Sequence, residues 1–307
     1  MATILITGGT GLIGKSLVNA LLEKKYEVII VSREKLEHPD LRVSYALWDI
    51  RAQTIDADAI SKADHIIHLA GAGVADKRWT VKRKKEIVDS RVKSCELLVK
   101  AIHDIPNHIQ SVISASAIGW YGPDPAIPNP HPFTEDQPAN DDFLGQTCKK
   151  WEESLEPITA AGKRLVKMRT GIVLSNDGGA LKEFTRPVKF GLATILGSGK
   201  QMISWIHIDD LVRAYIYVIE NTQLNGAYNA VGPRPINNKE LVIQLASSIK
   251  GKFYVPVHVP AFVLKIMLGE MSIEVLKSAT VDCQKLHTAG FTFLYPDIQS
   301  AIEALNK

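Results

Sequence analysis

The sequence predicts an α/β fold, a doubly wound parallel sheet followed by a smaller C-terminal lobe. Three observations carry that expectation. Short runs of β-branched and aliphatic residues alternate with helical stretches, and the first run turns into a helix through a glycine-rich loop. Beyond about residue 230 the alternation weakens into short helices and prolines (Pro233, Pro235, Pro256, Pro260).

Residues 3–7 (TILIT) form the first strand, and Gly8-Gly9-Thr10-Gly11 follows directly. Leu12, Ile13, Leu17, Ala20 and Leu21 recur at helical spacing, which predicts a helix over 12–22. Buried strands are expected at 27–31, 43–47, 65–69, 111–115 and 165–168, with a long charged helix near 80–103. Such continuous apolar strands, separated by helices, belong to a parallel sheet covered on both faces. The proline-rich stretch 122–140 reads as an irregular loop, and a Lys- and Glu-rich helix comes after it. The division expected is a nucleotide-binding domain over 1–230 and a smaller domain over 231–307.

The 307 residues suffice for a large core, at 46% hydrophobic and 22% charged. Lys+Arg number 36 and Asp+Glu 33, and a net charge of +3 is too small to point to nucleic acid or an acidic membrane as partner. No signal peptide is read at the start, and no apolar run approaches the roughly 18–20 residues of a membrane span. Cys95, Cys148 and Cys283 are far apart and contain no CxxC pair, so the expected setting is a reducing cytoplasm. A monomer or homodimer is expected.

The strongest local signal is Thr7 to Ser16. Gly8, Gly11 and Gly14 form GxxGxxG, and Gly9, Gly11 and Gly14 form GxGxxG. Either register lets the backbone of a strand–turn–helix approach a pyrophosphate, with helix N–H groups directed at it. The same residues satisfy GxxxxGK[ST] through Gly9, Gly14, Lys15 and Ser16, a phosphate loop in which Lys15 reaches terminal phosphates and Asp49 serves Mg²⁺. The end of the second strand, Ser32-Arg33-Glu34, favours the dinucleotide. A ribose-reading residue is expected there, and Arg33 suits a 2′-phosphate or can lie flat on adenine. NADP(H) is therefore the expected cofactor, with NAD(H) second.

The chain resembles the extended short-chain dehydrogenase/reductase superfamily of the sugar-nucleotide epimerase type, nearly end to end. Thr7 to Gly14, His68-Leu69-Ala70-Gly71, Ser114-Ala115-Ser116, Trp120-Tyr121-Gly122, residues 169–174 and residues 205–210 carry the likeness. Arg78-Trp79-Thr80, Ser90-Arg91-Val92, Trp151-Glu152, residues 197–201 and residues 290–293 narrow it to an atypical branch with a short, distinctive C-terminal domain. The resemblance implies a Rossmann-type sheet and a cofactor site of Gly8, Thr10, Gly11, Leu12, Ile13, Gly14, Ser32, Arg33, Leu69, Ala70, Gly71, Ser114 and Ala115.

It also implies a tyrosine with a lysine one helical turn later, and this chain departs from that. Counting back from Glu152, those positions fall on Leu144 and Cys148, and no tyrosine lies between Tyr121 and Tyr215. Ser116 is the best remaining carry-over for binding a substrate oxygen, and Tyr121 is expected to face the cleft. Cys148 as a low-pKa thiol, Lys149 and Glu135 are weaker candidates for proton work. Trp79, Arg83, Glu135 and Arg186 are expected near an anionic or polar substrate. Asp209 is expected to cap a helix starting at Leu211, and no metal site is predicted.

The function expected is an NADP(H)-dependent oxidoreductase or epimerase acting on a small polar molecule such as a nucleotide sugar. A non-catalytic dinucleotide sensor, with a link to cell division that the branch carries, is the second reading. An NTPase is the third.

Overall fold

A computed structural model describes residues 2–34 and 36–306. Strands β1 (Thr3–Thr7), β2 (Glu27–Ser32), β3 (Val43–Asp49), β4 (Thr54–Ile55), β5 (His65–His68), β6 (Ser111–Ala117) and β7 (Arg164–Thr170) are followed by β8 (Ile172–Leu174), β9 (Leu192–Leu196), β10 (Met202–Ile203) and β11 (Trp205–His207). Strands β12 (Gly226–Ala230), β13 (Ile236–Asn237) and β14 (Val255–Val259) complete the set. The main sheet has eight strands in the order β12-β7-β6-β5-β1-β2-β3-β4. Seven run parallel, and the short β4 pairs antiparallel with β3.

Strand order reverses at β1. The chain builds outward through β2 and β3, then returns to lay β5, β6, β7 and β12 on the other side. A crevice is therefore created at the carboxyl ends of β1 and β5, where α/β sheets bind their ligands.

Helices α1 (Leu12–Glu23), α2 (Ala57–Lys62), α3 (Val81–Asp104), α4 (Phe143–Glu153), α5 (Glu156–Ala160), α6 (Ala180–Lys189), α7 (Ile208–Glu220), α8 (Asn238–Lys250) and α9 (Ala261–Leu268) cover the strands. Alternation along the strands decides which face each side chain meets. Ile4, Ile6, Val28 and Ile30 join Leu17 and Leu21 of α1 and Leu211 and Tyr215 of α7 in one core. Leu5, Ile29 and Val31 join Leu97 and Leu98 of α3 and Trp151 of α4 in another. Both faces are dry, which is why these strands lack polar alternation.

Strand pairing and core packing run across the expected division at 230/231. Strand β9 pairs with β14, β10 with β13, and β8 with β11. Leu174, Leu181 and Trp205 share a core with Leu241, Leu245, Ile298 and Ile302. The stretch 180–203, expected within the first domain, thus packs with the C-terminal part. These pairings join distant segments, and local periodicity carries no trace of them.

Helix α7 also starts earlier than expected. His207 is its N-cap, its Nδ1 accepting from the Asp209 N–H at 3.1 Å. Asp210 is buried and accepts from the N–H groups of Leu294 (2.8 Å) and Tyr295 (2.9 Å), which fastens the C-terminal segment to the start of α7. Among the described residues no helix is long and apolar enough to cross a membrane, and no group of three His, Cys, Asp or Glu could hold a metal ion.

Candidate active site

The glycine turn lies at the β1–β5 crevice. Gly8 has φ 74°, a left-handed conformation, and a Cβ there would stand 3.0 Å from the backbone of Leu69 and Ala70. A Cβ on Gly14 would strike the Gly8 carbonyl and lie 2.6 Å from Gly9 Cα. The Gly11 N–H donates to Gly8 O at 3.0 Å and closes the turn. Helix α1 begins with Gly11 as N-cap, without a side-chain cap and without an acidic residue in its first turn. Its leading N–H groups and positive dipole end are thus offered by bare backbone, and the turn fits a dinucleotide pyrophosphate lying outside it. Thr10 is exposed, while Leu12 and Ile13 are half-buried beside the turn.

This geometry removes the phosphate-loop reading. Gly14 is packed against Gly8 and Gly9, so the turn has no interior to wrap around a phosphate. Ser16 Oγ bonds back to Leu12 O at 3.5 Å, within its own helix. Asp49 sits two strands away from β1 and accepts from the N–H groups of Arg51 and Ala52 at 2.7 and 3.0 Å.

A neutral histidine ties the crevice walls together. His68 is fully buried at the end of β5, with Nδ1 2.6 Å from Thr7 Oγ1 and Nε2 3.1 Å from Ser94 Oγ. Burial, aided by the Arg91 charge, pushes its pKa down to about 3. Thr7 Oγ1 also accepts from the Ala70 N–H at 3.3 Å, so Leu69, Ala70 and Gly71 leave β5 along the glycine turn. Ser32 and Arg33 stand at the tip of β2, Arg33 exposed and the Ser32 hydroxyl bonded to the Glu34 carbonyl.

On the far side of β5, strand register assembles a polar row. Ser116 of β6 lies opposite Arg169 of β7, and Arg169 lies opposite Asn229 of β12. Helix α4 delivers Glu152 to it. That helix starts at its Asp142 cap, which accepts from the Gly145 N–H at 2.7 Å, and Gly145 allows close approach to the Asn140 carbonyl. Glu152 accepts from Ser116 Oγ (2.7 Å), Arg169 Nε (2.8 Å) and Arg169 Nη2 (3.0 Å). Arg169 Nη1 reaches Tyr121 Oη at 3.1 Å, and Tyr121 donates to Asn229 Oδ1 at 2.7 Å. The guanidinium also lies 3.7 Å from the Trp120 ring centre.

Several expected site residues are therefore placed differently. Tyr121 does not face a cleft. It is 1% exposed, stacked on Phe133, and burial pushes its pKa up to about 12. Ser116 is 3% exposed, and its hydroxyl hydrogen goes to Glu152. Ser114 is buried, with its hydroxyl on the Ala115 carbonyl. The Glu135 carboxyl accepts from the Asn229 N–H at 2.7 Å, and burial raises its pKa.

Leu144 and Cys148 face the β6 end together, Leu144 Cβ standing 3.2 Å and Cys148 Sγ 3.7 Å from where a Gly119 Cβ would be. The thiol is buried and its pKa is pushed up to about 12, so Cys148 is not a low-pKa nucleophile. Lys149 points outward toward Glu153. One helical step separates it from the inward face of α4, and that step removes it from the site.

Around the crevice mouth, Trp79 is half-buried, donating from Nε1 to Val74 O at 2.9 Å and meeting Phe143 edge-on. Arg83 is not available to a substrate. It is 6% exposed, bonded to the Gly73 carbonyl and paired with Asp76 (3.3 Å) and Glu86 (2.8 Å). Arg186 is exposed on α6. The smaller lobe reaches the mouth through Lys277, whose Nζ holds Glu274 at 2.7 Å and the Tyr121 carbonyl at 3.4 Å. Arg78 donates to the Ile266 carbonyl at 3.2 Å, linking the loop after β5 to α9. Glu152, Arg169 and Asn229 carried no assigned role in the sequence reading, because only strand register shows that they meet.

The family described as the NAD dependent epimerase/dehydratase family matches residues 4–144 and 173–231, and a domain of unknown function (DUF1731) matches residues 259–305. An epimerase family protein of Staphylococcus haemolyticus is 35% identical over 306 residues, covering 99% of both chains. Among solved structures, the human epimerase family protein SDR39U1 with NADPH is 26% identical, with TM-score 0.85 over 99% of this chain and 98% of that one. A nucleoside-diphosphate sugar epimerase of Corynebacterium glutamicum is 30% identical, with TM-score 0.77 over 98% of this chain and 57% of that one. The glycine turn at the strand-order switch and the match across most of its length agree: the chain belongs to the NAD dependent epimerase/dehydratase family.

Proposed function

We propose that the protein binds NADP(H) in the β1–β5 crevice and exchanges hydride with a small polar substrate, as an oxidoreductase or epimerase. The observation that carries this reading is the glycine cradle. Cβ atoms at Gly8 and Gly14 would fill the space where backbone meets backbone at the start of α1. The human relative solved with NADPH supports the same cofactor.

Gly8, Gly11, Ile13 and Gly14 hold the pyrophosphate side, and Arg33 pairs with a 2′-phosphate at the tip of β2. Leu69, Ala70 and Gly71 line the adenine and ribose side, and Ser114 and Ala115 close the crevice at β6. The bound dinucleotide supplies hydride transfer. The chain's own residues position it, exclude water and hold substrate oxygens. A nucleotide sugar fits the C. glutamicum relative's description.

A second reading, a dinucleotide-binding regulator without turnover, is favoured by one observation. The positions that the family resemblance gives to Tyr and Lys hold Leu144 and Cys148, both packed on Gly119 just after β6. Calorimetric titration with NADPH and NADH, followed by a screen of nucleotide sugars for hydrogen exchange at the nicotinamide, separates the two. Tight NADPH binding with exchange establishes the enzyme. NADPH binding without exchange across the screen establishes the regulator, and binding of neither dinucleotide sinks both.

A further inference from the structure

Residues 76–89 hold six cations (Lys77, Arg78, Lys82, Arg83, Lys84 and Lys85) against three carboxylates. That excess equals the +3 of the whole chain, so a small net charge conceals a local one. The three carboxylates are already paired, Asp76 and Glu86 with Arg83 and Asp89 with Lys85, while Lys84 holds Glu270. Lys77, Arg78 and Lys82 are exposed and form no ion pair among the described residues.

Helix α9 meets this stretch. Arg78 donates to Ile266 O at 3.2 Å, and its Nη2 stands 3.1 Å from where a Cβ on Gly269 would be. The helix packs against expectation for a surface in water, since Leu264 is its only buried apolar residue. Phe262 and Ile266, one turn apart, project from the opposite face, with the unpaired Lys265 beside them. Met267 and Ile273, the latter on α10 (Ser272–Leu276), extend the surface, and Val81 adjoins it between Arg78 and Lys84. The five apolar residues are 59–89% exposed. Apolar groups gathered this way mark a contact with a partner.

The surrounding charge selects that partner. Lysines around aromatic and aliphatic side chains match an anionic lipid surface, where apolar groups enter the acyl boundary and lysines meet phosphates. A second copy fits poorly. A two-fold contact lays the patch on itself, bringing two sets of unpaired lysines together.

We propose that α9, the start of α10 and the first turn of α3 dock the protein on an anionic lipid surface. Phe262 and Ile266 enter the lipid, and Lys77, Lys82 and Lys265 lie on the headgroups. The proposal stands apart from the dinucleotide reading, because it uses no residue placed on the cofactor.

The test sediments the full chain with vesicles of phosphatidylcholine alone and with vesicles that also contain phosphatidylglycerol. Wild type should bind the anionic vesicles at low salt and stay in solution with the neutral ones. Phe262→Ser with Ile266→Ser should weaken binding roughly tenfold or more, although every charge is kept. Lys77→Gln, Lys82→Gln and Lys265→Gln together should weaken it about a hundredfold, at about fivefold per lysine. All five positions are exposed, so the unfolding midpoints of both variants should equal or exceed that of wild type.

No binding of wild type to the anionic vesicles overturns the proposal. Binding that the serine variant keeps in full also overturns it, since bare charge attraction would then suffice. If the serine variant fails to fold, the lysine variant decides, and unchanged vesicle affinity overturns the proposal. Analytical ultracentrifugation without vesicles tests the other occupant. A wild-type dimer that becomes monomeric in the serine variant, without vesicle binding, gives the surface to a second copy and overturns lipid docking.

Discussion

Glu152 and Arg169 form a bidentate pair, Nε to Oε1 at 2.8 Å and Nη2 to Oε2 at 3.0 Å, with both side chains at most 5% exposed. The pair joins α4 to β7, and Ser116 and Tyr121 are attached to it. Removing one partner strands the other charge inside the protein. Glu152→Ala should therefore destabilise the fold by about 3–5 kcal/mol, while simultaneous replacement of both residues by apolar ones should cost less. Urea unfolding of the single and double variants measures this, and equal losses would contradict the pairing argument.

Gly14 separates binding from folding. Gly14→Ala places a methyl group against the Gly8 carbonyl and Gly9 Cα. The turn must open, at a cost of about 1–3 kcal/mol in stability. NADPH affinity should fall well beyond what that loss explains, because the opened turn misaligns the first N–H groups of α1. Titration at a temperature where the variant stays folded checks it.

Arg33 should discriminate between cofactors. It is exposed at the tip of β2, so Arg33→Ala should leave stability nearly unchanged. NADPH affinity should drop about tenfold or more while NADH affinity stays the same. Equal effects on both would remove the 2′-phosphate from its role.

His68 makes stability depend on pH. Its folded pKa of about 3 lies below the ordinary 6.5, so the unfolded chain takes up a proton that the folded one refuses. The stabilisation is present above about pH 6.5 and is lost as pH falls toward 3, at about 1.4 kcal/mol per pH unit. His68→Gln should flatten this contribution between pH 6.5 and 5, read from urea midpoints against wild type.

The thiols give a simple check on the core. Cys95, Cys148 and Cys283 are all free and buried, with pKa values pushed up to about 12, 12 and 11. None should react with a thiol reagent at pH 8 in the native state, and all three should react on unfolding. Rapid modification of Cys148 in the folded protein would reopen its candidacy as a nucleophile.

Local chemistry was enough to read the first half of the fold. The run at 3–7, the glycines after it and the helical spacing from Leu12 specify a strand–turn–helix by themselves, since glycine conformation and apolar period act over a few residues. The charged helix expected near 80–103 is Val81–Asp104 for the same reason. Asp209 misled because a cap is chosen by geometry among neighbouring acceptors. Here the His207 ring nitrogen faces the helix, while Asp210 is drawn to the backbone of Leu294 and Tyr295.

By itself the sequence determined the parallel sheet, the turn suited to a dinucleotide and the loss of the Tyr and Lys positions. These are properties of residues close together in the chain. Only the tertiary structure decided that Ser116, Arg169 and Asn229 stand in one row, that Tyr121 and Arg83 turn inward, and that 180–203 packs against the C-terminal segment. Each of these depends on the register or packing of segments far apart in sequence, where burial and the pairing of charges in three dimensions choose between orientations that the chain allows equally.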